Sequence, residues 1–206
     1  VLVMQNLGLN ILPVYHYAVV IGVLPDNKII LRSGVEKRLI LDMTHFLDTW
    51  SRSDSWGLIL LNPGELPEHP RLLNYLEAVS NFEASGNINQ STQAYQAAIQ
   101  VWPENQTTMV ALANNYLLRS KYFKAKLLFR KILQTNPNHI IAANNLAEVL
   151  FRQGCYHQAL KQINQAVDIS EVLNSPYKKT VFQTKQEIIQ RMEKEKAVNA
   201  AKCYDQ

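Results

Sequence analysis

Cysteines, long apolar runs and metal-ligand patterns are scarce in this 206-residue chain. Two cysteines, Cys155 and Cys203, are too few for the disulfide framework of a small secreted domain, and we expect both to be free thiols. The longest apolar runs, such as Tyr17–Leu24, fall well short of the ~18 residues that a membrane-spanning helix needs. No two of the five histidines are spaced like metal ligands, so no metal site is predicted, and no pattern indicates a cofactor. The net charge of +4 is too small to indicate nucleic-acid binding.

A pattern of large and small apolar residues recurs at a period of about 34 residues in the second part of the chain. Within each copy the apolar residues are three and four positions apart, which is the spacing of one helical face. A break follows, for example at Ser120 and Lys121, and a second helical pattern begins, so each copy predicts a helical hairpin. The shared positions are Tyr75, Ala78, Val79, Phe82, Ser91, Tyr95 and Pro103, then Met109, Leu112, Ala113, Tyr116, Ala125, Phe129 and Pro137, then Ala143, Leu146, Ala147, Leu150, Ala159 and Ile163.

This pattern resembles the tetratricopeptide repeat (TPR). The third copy departs from it, because Ala143 stands where a large residue opens the hairpin and Glu171 stands where the closing proline is expected. One hairpin cannot bury its own apolar face, so three stacked hairpins are predicted over residues 68–173. A capping helix and tail follow over residues 174–206, with the helix running from Tyr177 to about Ala201. Its apolar stripe would cover the last hairpin and its mixed charges would face water.

The first 67 residues predict an antiparallel sheet with one short helix, so the predicted fold class is α+β, a sheet fragment followed by an all-α TPR superhelix. The connections are too short for parallel crossovers. We expect the helix at His45–Trp50 to be capped by Thr44, and the all-apolar last strand to be central in the sheet. The predicted strands are Val1–Met4, Val14–Leu24, Lys28–Arg32, Arg38–Asp42 and Trp56–Leu61.

The segment Pro13–Gly22 resembles the histidine strand of the C39-like, papain-type cysteine peptidases, a family of hydrolases. Ile30–Gly34 and Trp56–Pro67 are similar to a bacterial subgroup in which TPR repeats follow the peptidase domain. The resemblance implies that residues 1–67 are the C-terminal half of such a domain and that His16 is its general base. It also suggests a bacterial cell-envelope or periplasmic protein.

The sequence departs from the peptidase pattern in two ways. No cysteine precedes His16, so the chain as given is predicted to be inactive. The acidic residue that would orient the imidazole is missing near Arg32, although Ser33 is a candidate, as are Asn27 and Asp26. Since Val1 opens a predicted strand, we expect the natural protein to continue upstream, where a nucleophile would lie. The alternative for His16 is a partly buried strand histidine with a purely structural hydrogen bond.

In TPR proteins the inner face of each first helix lines a groove for peptides or partner helices. Asparagine offers a peptide backbone both a donor and an acceptor, and apolar neighbours add contact area. The lysine-rich arrangement that clamps a C-terminal carboxylate is absent, so that ligand is not predicted. The alternative is that the asparagines only cap or solvate a helix. The residues at groove positions are Asn114, Leu117, Asn144, Glu148 and Phe151.

Three hypotheses follow from these patterns. The preferred one is a TPR protein-interaction module, binding a protein or peptide, attached to a C39-like domain that lacks its nucleophile. The second is an active cysteine peptidase in the full-length protein, with the repeats recruiting substrate. The third is a scaffold whose groove has no ligand. The oligomeric state stays open.

Overall fold

The computed structural model describes residues 1–196, with side chains up to residue 194. It divides into two compact units, Val1–Asn62 and a second unit from Pro63 onward. Within the described residues, no helix is both long enough and apolar enough to cross a membrane. The predicted end of the last helix near Ala201 lies outside the described residues.

The first unit is a five-stranded antiparallel sheet with one helix, which confirms the predicted sheet. The strand order is β4-β3-β2-β1-β5. Tight turns join the middle strands, and Asn27 (φ 53°) and Gly34 (φ 58°) take the left-handed backbone conformation that such turns need. The helix covers a small core of Val3, Ala18, Ile29, Leu31 and Phe46. The elements are β1 Leu2–Asn6, β2 Tyr15–Leu24, β3 Lys28–Ser33, β4 Glu36–Asp42, α1 Met43–Ser51 and β5 Gly57–Leu58.

Two predictions for this unit are wrong. The apolar run Trp56–Leu61 is not a central strand, because only Gly57 and Leu58 pair with β1, at the sheet edge. Leu58 lies opposite Leu2, so the residues after it run past the end of β1, and Leu60 is 85% exposed. An apolar run alone does not distinguish a central strand from an edge. Helix α1 begins at Met43 rather than after Thr44, with Asp42 as its N-cap residue.

The second unit consists of three helical hairpins and a last helix, as predicted. Each helix packs against the next, and the first helices of successive hairpins also touch, because α4 contacts α6 and α6 contacts α8. Helix α8 thus takes the place of the first helix of a fourth hairpin and covers the third. The helices are α2 Leu72–Ala84, α3 Ile88–Val101, α4 Gln106–Leu118, α5 Tyr122–Thr135, α6 Ile140–Arg152, α7 Tyr156–Val172 and α8 Lys178–Lys196.

Small residues at fixed positions allow the helices to approach closely. Ala113, Ala125, Ala147 and Ala159 are completely buried, and the large ring of Phe129 fills the space between hairpins. Burying a side chain of that size stabilises the fold by about 1.5–3 kcal/mol. The repeat spacing in the sequence is therefore the spacing of the packing contacts in the core.

The turn inside each hairpin requires a left-handed residue at the same repeat position. Gly86 (φ 96°) and Gly154 (φ 76°) supply it in the first and third hairpins. In the second hairpin Ser120 adopts φ 54° at this position, although a side chain makes that conformation unfavourable. The 34-residue period thus extends to the backbone conformation of the turns.

Cys155 follows the third of these turns and is almost completely buried. The expectation of a free thiol here is wrong, because Cys155 is disulfide-bonded. The second cysteine of that expectation, Cys203, lies outside the described residues.

Candidate functional site

The predicted groove residues lie on two first helices, Asn114 and Leu117 on α4 and the other three on α6. All five are half-buried, as expected for side chains that line a groove rather than fill a core. Their spacings of three and four residues place each set on one helical face. Whether these residues bind a ligand stays a prediction, but the geometry brings them close to one another.

A chain of amide hydrogen bonds joins the two helices. The side-chain nitrogen of Asn144 donates to Oδ1 of Asn145 at 3.0 Å, and Nδ2 of Asn145 donates to Oδ1 of Asn114 at 2.7 Å. Sequence reasoning selected the two ends of this chain and missed Asn145 in the middle. The adjacent pair of asparagines in α6 was the available signal, because consecutive helical positions point in different directions and can serve different neighbours.

The Oδ1 atom of Asn144 is buried and has no hydrogen-bond partner among the described residues. Asn144 is one of the residues that line a small cavity of about 110 Å³ between α6 and the start of α8. A buried acceptor without a partner is unfavourable by about 1–3 kcal/mol, so a donor that enters this cavity would be stabilised. The cavity is lined by Ile140, Ile141, Asn144, Asn145, Tyr177, Thr180 and Val181.

The charged and aromatic groove residues are held by neighbours in the same hairpin. Oε1 of Glu148 accepts a hydrogen bond from Nε of Arg152, one turn later, at 2.6 Å. The hydrogen bond to Glu148 and its charge raise the pKa of Arg152, so the guanidinium stays charged beside this carboxylate. The ring of Phe151 packs at 5.8 Å, centroid to centroid, against Tyr156. These contacts hold the side chains of Glu148 and Phe151 in place.

A second polar cluster lies inside the stack, and sequence reasoning missed it. Asn115 is completely buried, and its Nδ2 donates to Glu83 at 2.5 Å and to Ser91 at 3.1 Å. Its Oδ1 accepts from the hydroxyl of Thr92 at 2.6 Å, which in turn accepts from Arg119 at 2.7 Å. These bonds join the first hairpin to α4, so the cluster fixes how two hairpins stack and does not face the groove.

In the sheet unit, His16 lies near the start of β2 and is half-buried. Its Nε2 atom is 2.7 Å from Oγ of Ser33 on β3, the hydrogen bond considered from the sequence. Asp26 and Asn27 lie past the other end of β2, about 26 Å or more along the strand, so neither is the partner. Gln5 is directly opposite His16 on β1, but its amide donates to Thr49.

This arrangement orients the imidazole without a carboxylate. A serine hydroxyl fixes the ring by a neutral hydrogen bond, which stabilises an imidazolium less than a carboxylate does. Residues 1–62 contain no cysteine, so this unit as given holds no thiol for His16 to activate. In the described residues, no group of three or more histidine, cysteine or acidic side chains is placed to hold a metal ion.

Comparison with known proteins concerns the helical unit. Residues 128–161 match the tetratricopeptide repeat family model, a span of one repeat from α5 into α7. Over 78 residues the chain is 32% identical to the tetratricopeptide repeat protein 21 homolog of Caenorhabditis elegans. That match covers 38% of this chain and 6% of the relative, so the chain spans a small part of its length.

Three solved structures, two from fungi and one from a bacterium, illustrate the similarity of fold. The TPR2B domain of yeast Sti1, in its pHsp70 complex, has 17% identity and a TM-score of 0.53, covering 58% of this chain and 97% of that one. The Sgt2 TPR domain of Aspergillus fumigatus has 16% identity and a TM-score of 0.55, covering 68% and 90%. The type III secretion translocator chaperone SycD of Yersinia enterocolitica has 17% identity and a TM-score of 0.53, covering 59% and 94%. At such identities the likeness shows the fold, and the helical unit of this chain has the tetratricopeptide-repeat fold.

Proposed function

We propose that the helical unit is a protein-interaction module that holds an extended peptide segment of a partner in the groove between α4 and α6, with one side chain of the segment reaching across α6 into the cavity beside α8. The observation that carries this proposal is the amide chain from Asn144 to Asn114, with Oδ1 of Asn144 buried and unbonded beside a small cavity. A backbone N–H of a bound peptide is the donor that this oxygen lacks. Binding would then recover a hydrogen bond that the free protein does not make.

The other groove residues indicate what kind of peptide fits. Leu117 and Phe151 offer apolar contact area, whereas Glu148 and Arg152 already neutralise each other. A cavity of about 110 Å³ accepts one small apolar side chain of the ligand. The groove therefore suits an extended, largely uncharged segment. The Sti1 domain that shares this fold is in complex with pHsp70, which supports partner binding by a stack of this architecture.

The test begins with a phage-displayed library of random peptides selected on the immobilised chain. Binding of the selected peptides is then measured by fluorescence anisotropy with the parent and with the double variant Asn114→Ala/Asn144→Ala. We expect the double variant to bind at least about tenfold more weakly, since two hydrogen-bonding amides are lost at a desolvated site. Its melting temperature should change little, because both side chains are half-buried.

Asn138→Ala is the matched control, because this asparagine is exposed in the turn between α5 and α6, away from the groove. The control should bind as the parent does. Selection of no peptide, or equal binding by the double variant and the parent, would contradict the proposal.

A second candidate function is favoured by the hydrogen bond between His16 and Ser33. In this proposal the sheet unit is the histidine half of a cysteine-peptidase-like domain, and His16 is the general base for a cysteine supplied upstream of Val1. A thiol–imidazole pair needs an oriented ring, and Ser33 supplies the orientation.

This candidate is tested on protein expressed from the complete gene. Labelling of an activated thiol by iodoacetamide near neutral pH should be lost in His16→Ala and slowed in Ser33→Ala, whereas His157→Ala, an exposed histidine on α7, should label normally. Labelling that does not respond to His16→Ala would rule the peptidase role out, and the binding proposal would stand unaffected.

A further inference from the structure

A second groove lies between the outer helices of the first two hairpins. Helices α3 and α5 both pack on α4, and Leu112 and Tyr116 of α4 form the floor between them. Measured as rotation about the axis of α4, these two floor residues lie about 100° or more from Asn114 and Leu117. The two grooves therefore open on different sides of this helix. The volume is about 560 Å³, with walls formed by Gln96, Ala97, Ile99, Gln100, Lys124, Leu127 and Leu128.

The apolar part of this groove is open to solvent. On the α5 wall, Leu127 is 50% exposed, and Phe123 one turn earlier is 52% exposed. Leu128 and Ile99 are half-buried and face the same space. Packing of the stack does not explain why two large apolar side chains, next to each other on one helix, are this exposed to solvent.

The charge of the groove is one-sided. Segment Lys121–Thr135, which includes α5, has four exposed basic residues and no acidic one, and α3 has no charged residue at all. Lys124 and Lys131 are seven residues apart, about 10 Å along the helix, with the leucines between them. The ammonium of Lys124 lies 5.4 Å from the ring centroid of Tyr116 and makes no ion pair with the described residues. Lys131 pairs with Glu104 at 3.4 Å, but both side chains are largely exposed, so this pair is weak and exchangeable.

We propose that this outer groove docks an acidic amphipathic helix of a partner protein. Apolar side chains at helical spacing would pack on Ile99, Leu127 and Leu128, and carboxylates two turns apart would pair with Lys124 and Lys131. The Gln100 side chain on the α3 wall offers an amide donor to the same ligand. This surface is separate from the groove between α4 and α6 and does not depend on the function proposed for it.

The next groove along the stack provides an internal comparison. It lies between α5 and α7, has a volume of about 350 Å³, and carries the acidic Asp168 with no basic residue in its lining. An acidic helix would be repelled there, whereas it is attracted between α3 and α5. Both sites lie between the second helices of neighbouring hairpins, so the site between α5 and α7 serves as a comparison with the opposite charge. The lining residues are Leu133, Pro137, Ala143, Gln162, Gln165, Asp168 and Ile169.

The probe is a synthetic peptide of about 15 residues, long enough to form a helix, with leucines on one face and glutamates beside them. It is acetylated and amidated, so it has no terminal carboxylate. A comparison peptide carries lysine in place of each glutamate. Binding to the complete chain is measured by fluorescence anisotropy at low and high salt, because the attraction between exposed charges is screened by salt.

We expect the glutamate peptide to bind and the lysine peptide not to bind. The charge-reversal variant Lys124→Glu/Lys131→Glu should bind the glutamate peptide at least about tenfold more weakly than the parent does, and it should bind the lysine peptide. Leu127→Ala should bind the glutamate peptide more weakly than the parent does. Its circular dichroism spectrum should be unchanged, because this side chain is half exposed. Asp168→Lys and Asn114→Ala/Asn144→Ala are controls that should leave the affinity as it is.

Three results would overturn the proposal. The first is the absence of saturable binding of the glutamate peptide up to about 1 mM, which corresponds to an interaction too weak to matter. The second is equal binding by the parent and the charge-reversal variant. The third is a charge-reversal variant in which only binding to vesicles of anionic lipid is lost. That result would assign the basic residues to contact with a membrane surface.

Discussion

Asn115 at the centre of the buried polar cluster gives the sharpest prediction about stability. In Asn115→Ala, the carboxylate of half-buried Glu83 and the buried hydroxyl of Ser91 lose a donor, and the buried hydroxyl of Thr92 loses its acceptor. An orphaned buried polar group is unfavourable by about 1–3 kcal/mol, and Glu83 and Thr92 keep other, partly longer contacts. We therefore expect the free energy of unfolding to fall by about 3 kcal/mol, out of a total of about 5–15 kcal/mol.

The neighbouring residue supplies the control. Asn114→Ala removes one hydrogen bond, to Asn145, from a half-buried position, and should lower the stability by at most about 1 kcal/mol. Both variants are unfolded in urea and followed by far-ultraviolet circular dichroism. Asn115→Ala should also lower the Tm by about 6–12 °C, given the size of the chain.

Hydrogen exchange locates the effect of Asn115→Ala. Because the cluster joins α2 and α3 to α4, amide protection should fall in these helices and persist in α6 and α7. If Asn115→Ala were within about 0.5 kcal/mol of the parent, or if Asn114→Ala were the more damaging change, the role assigned to this cluster would be refuted.

Two further predictions concern the turns and the response to alkaline pH. Ser120→Gly should raise the free energy of unfolding by about 0.5–1 kcal/mol, because glycine adopts the left-handed conformation of this turn without strain, as Gly86 and Gly154 do in the other hairpins; a lower urea midpoint for this variant would contradict the argument. Burial, with the nearby charge of Glu83, raises the pKa of Tyr95 to about 12 from an ordinary 10.0. The neutral side chain therefore contributes its full stabilisation below pH 10, and that contribution is lost as the pH rises towards 12. Tyr95→Phe should lose less stability than the parent over this interval in urea titrations at fixed pH, and parallel curves for the two proteins would argue against the assignment.

The stacked hairpins could be predicted from the sequence because packing between the helices sets the spacing of the large and small apolar residues. Ala113 and Ala147 are small, so a neighbouring helix can pack closely against them, and the large Phe129 fills the space between hairpins. All three side chains are completely buried. The closing helix could be predicted for the same reason, since Val181 and Ile188 are buried at helical spacing. The missing proline at Glu171 did not matter, because α7 simply runs on to Val172.

Other features could not be predicted because they depend on neighbours distant in the chain. Nothing local distinguishes Asn114, which is half-buried, from Asn115, which is in the core; the difference arises from Glu83, which is 32 positions away from Asn115. Likewise, the apolar residues Ile59 and Leu60 resemble a central strand, and only the register with β1 leaves them beyond the paired part of the sheet. The hydrogen bond between His16 and Ser33 was accessible from the sequence because both residues belong to neighbouring strands joined by a short turn.

The measurement that bears most directly on the proposed groove is the NMR spectrum of the side-chain amides of asparagine during titration with a selected peptide. We expect the amide signals of Asn114, Asn144 and Asn145 to shift together and saturate with the affinity measured by anisotropy, while that of Asn138 stays in place. Shifts confined to residues elsewhere, with these three unchanged at saturation, would show that the peptide binds at another surface and would contradict the account.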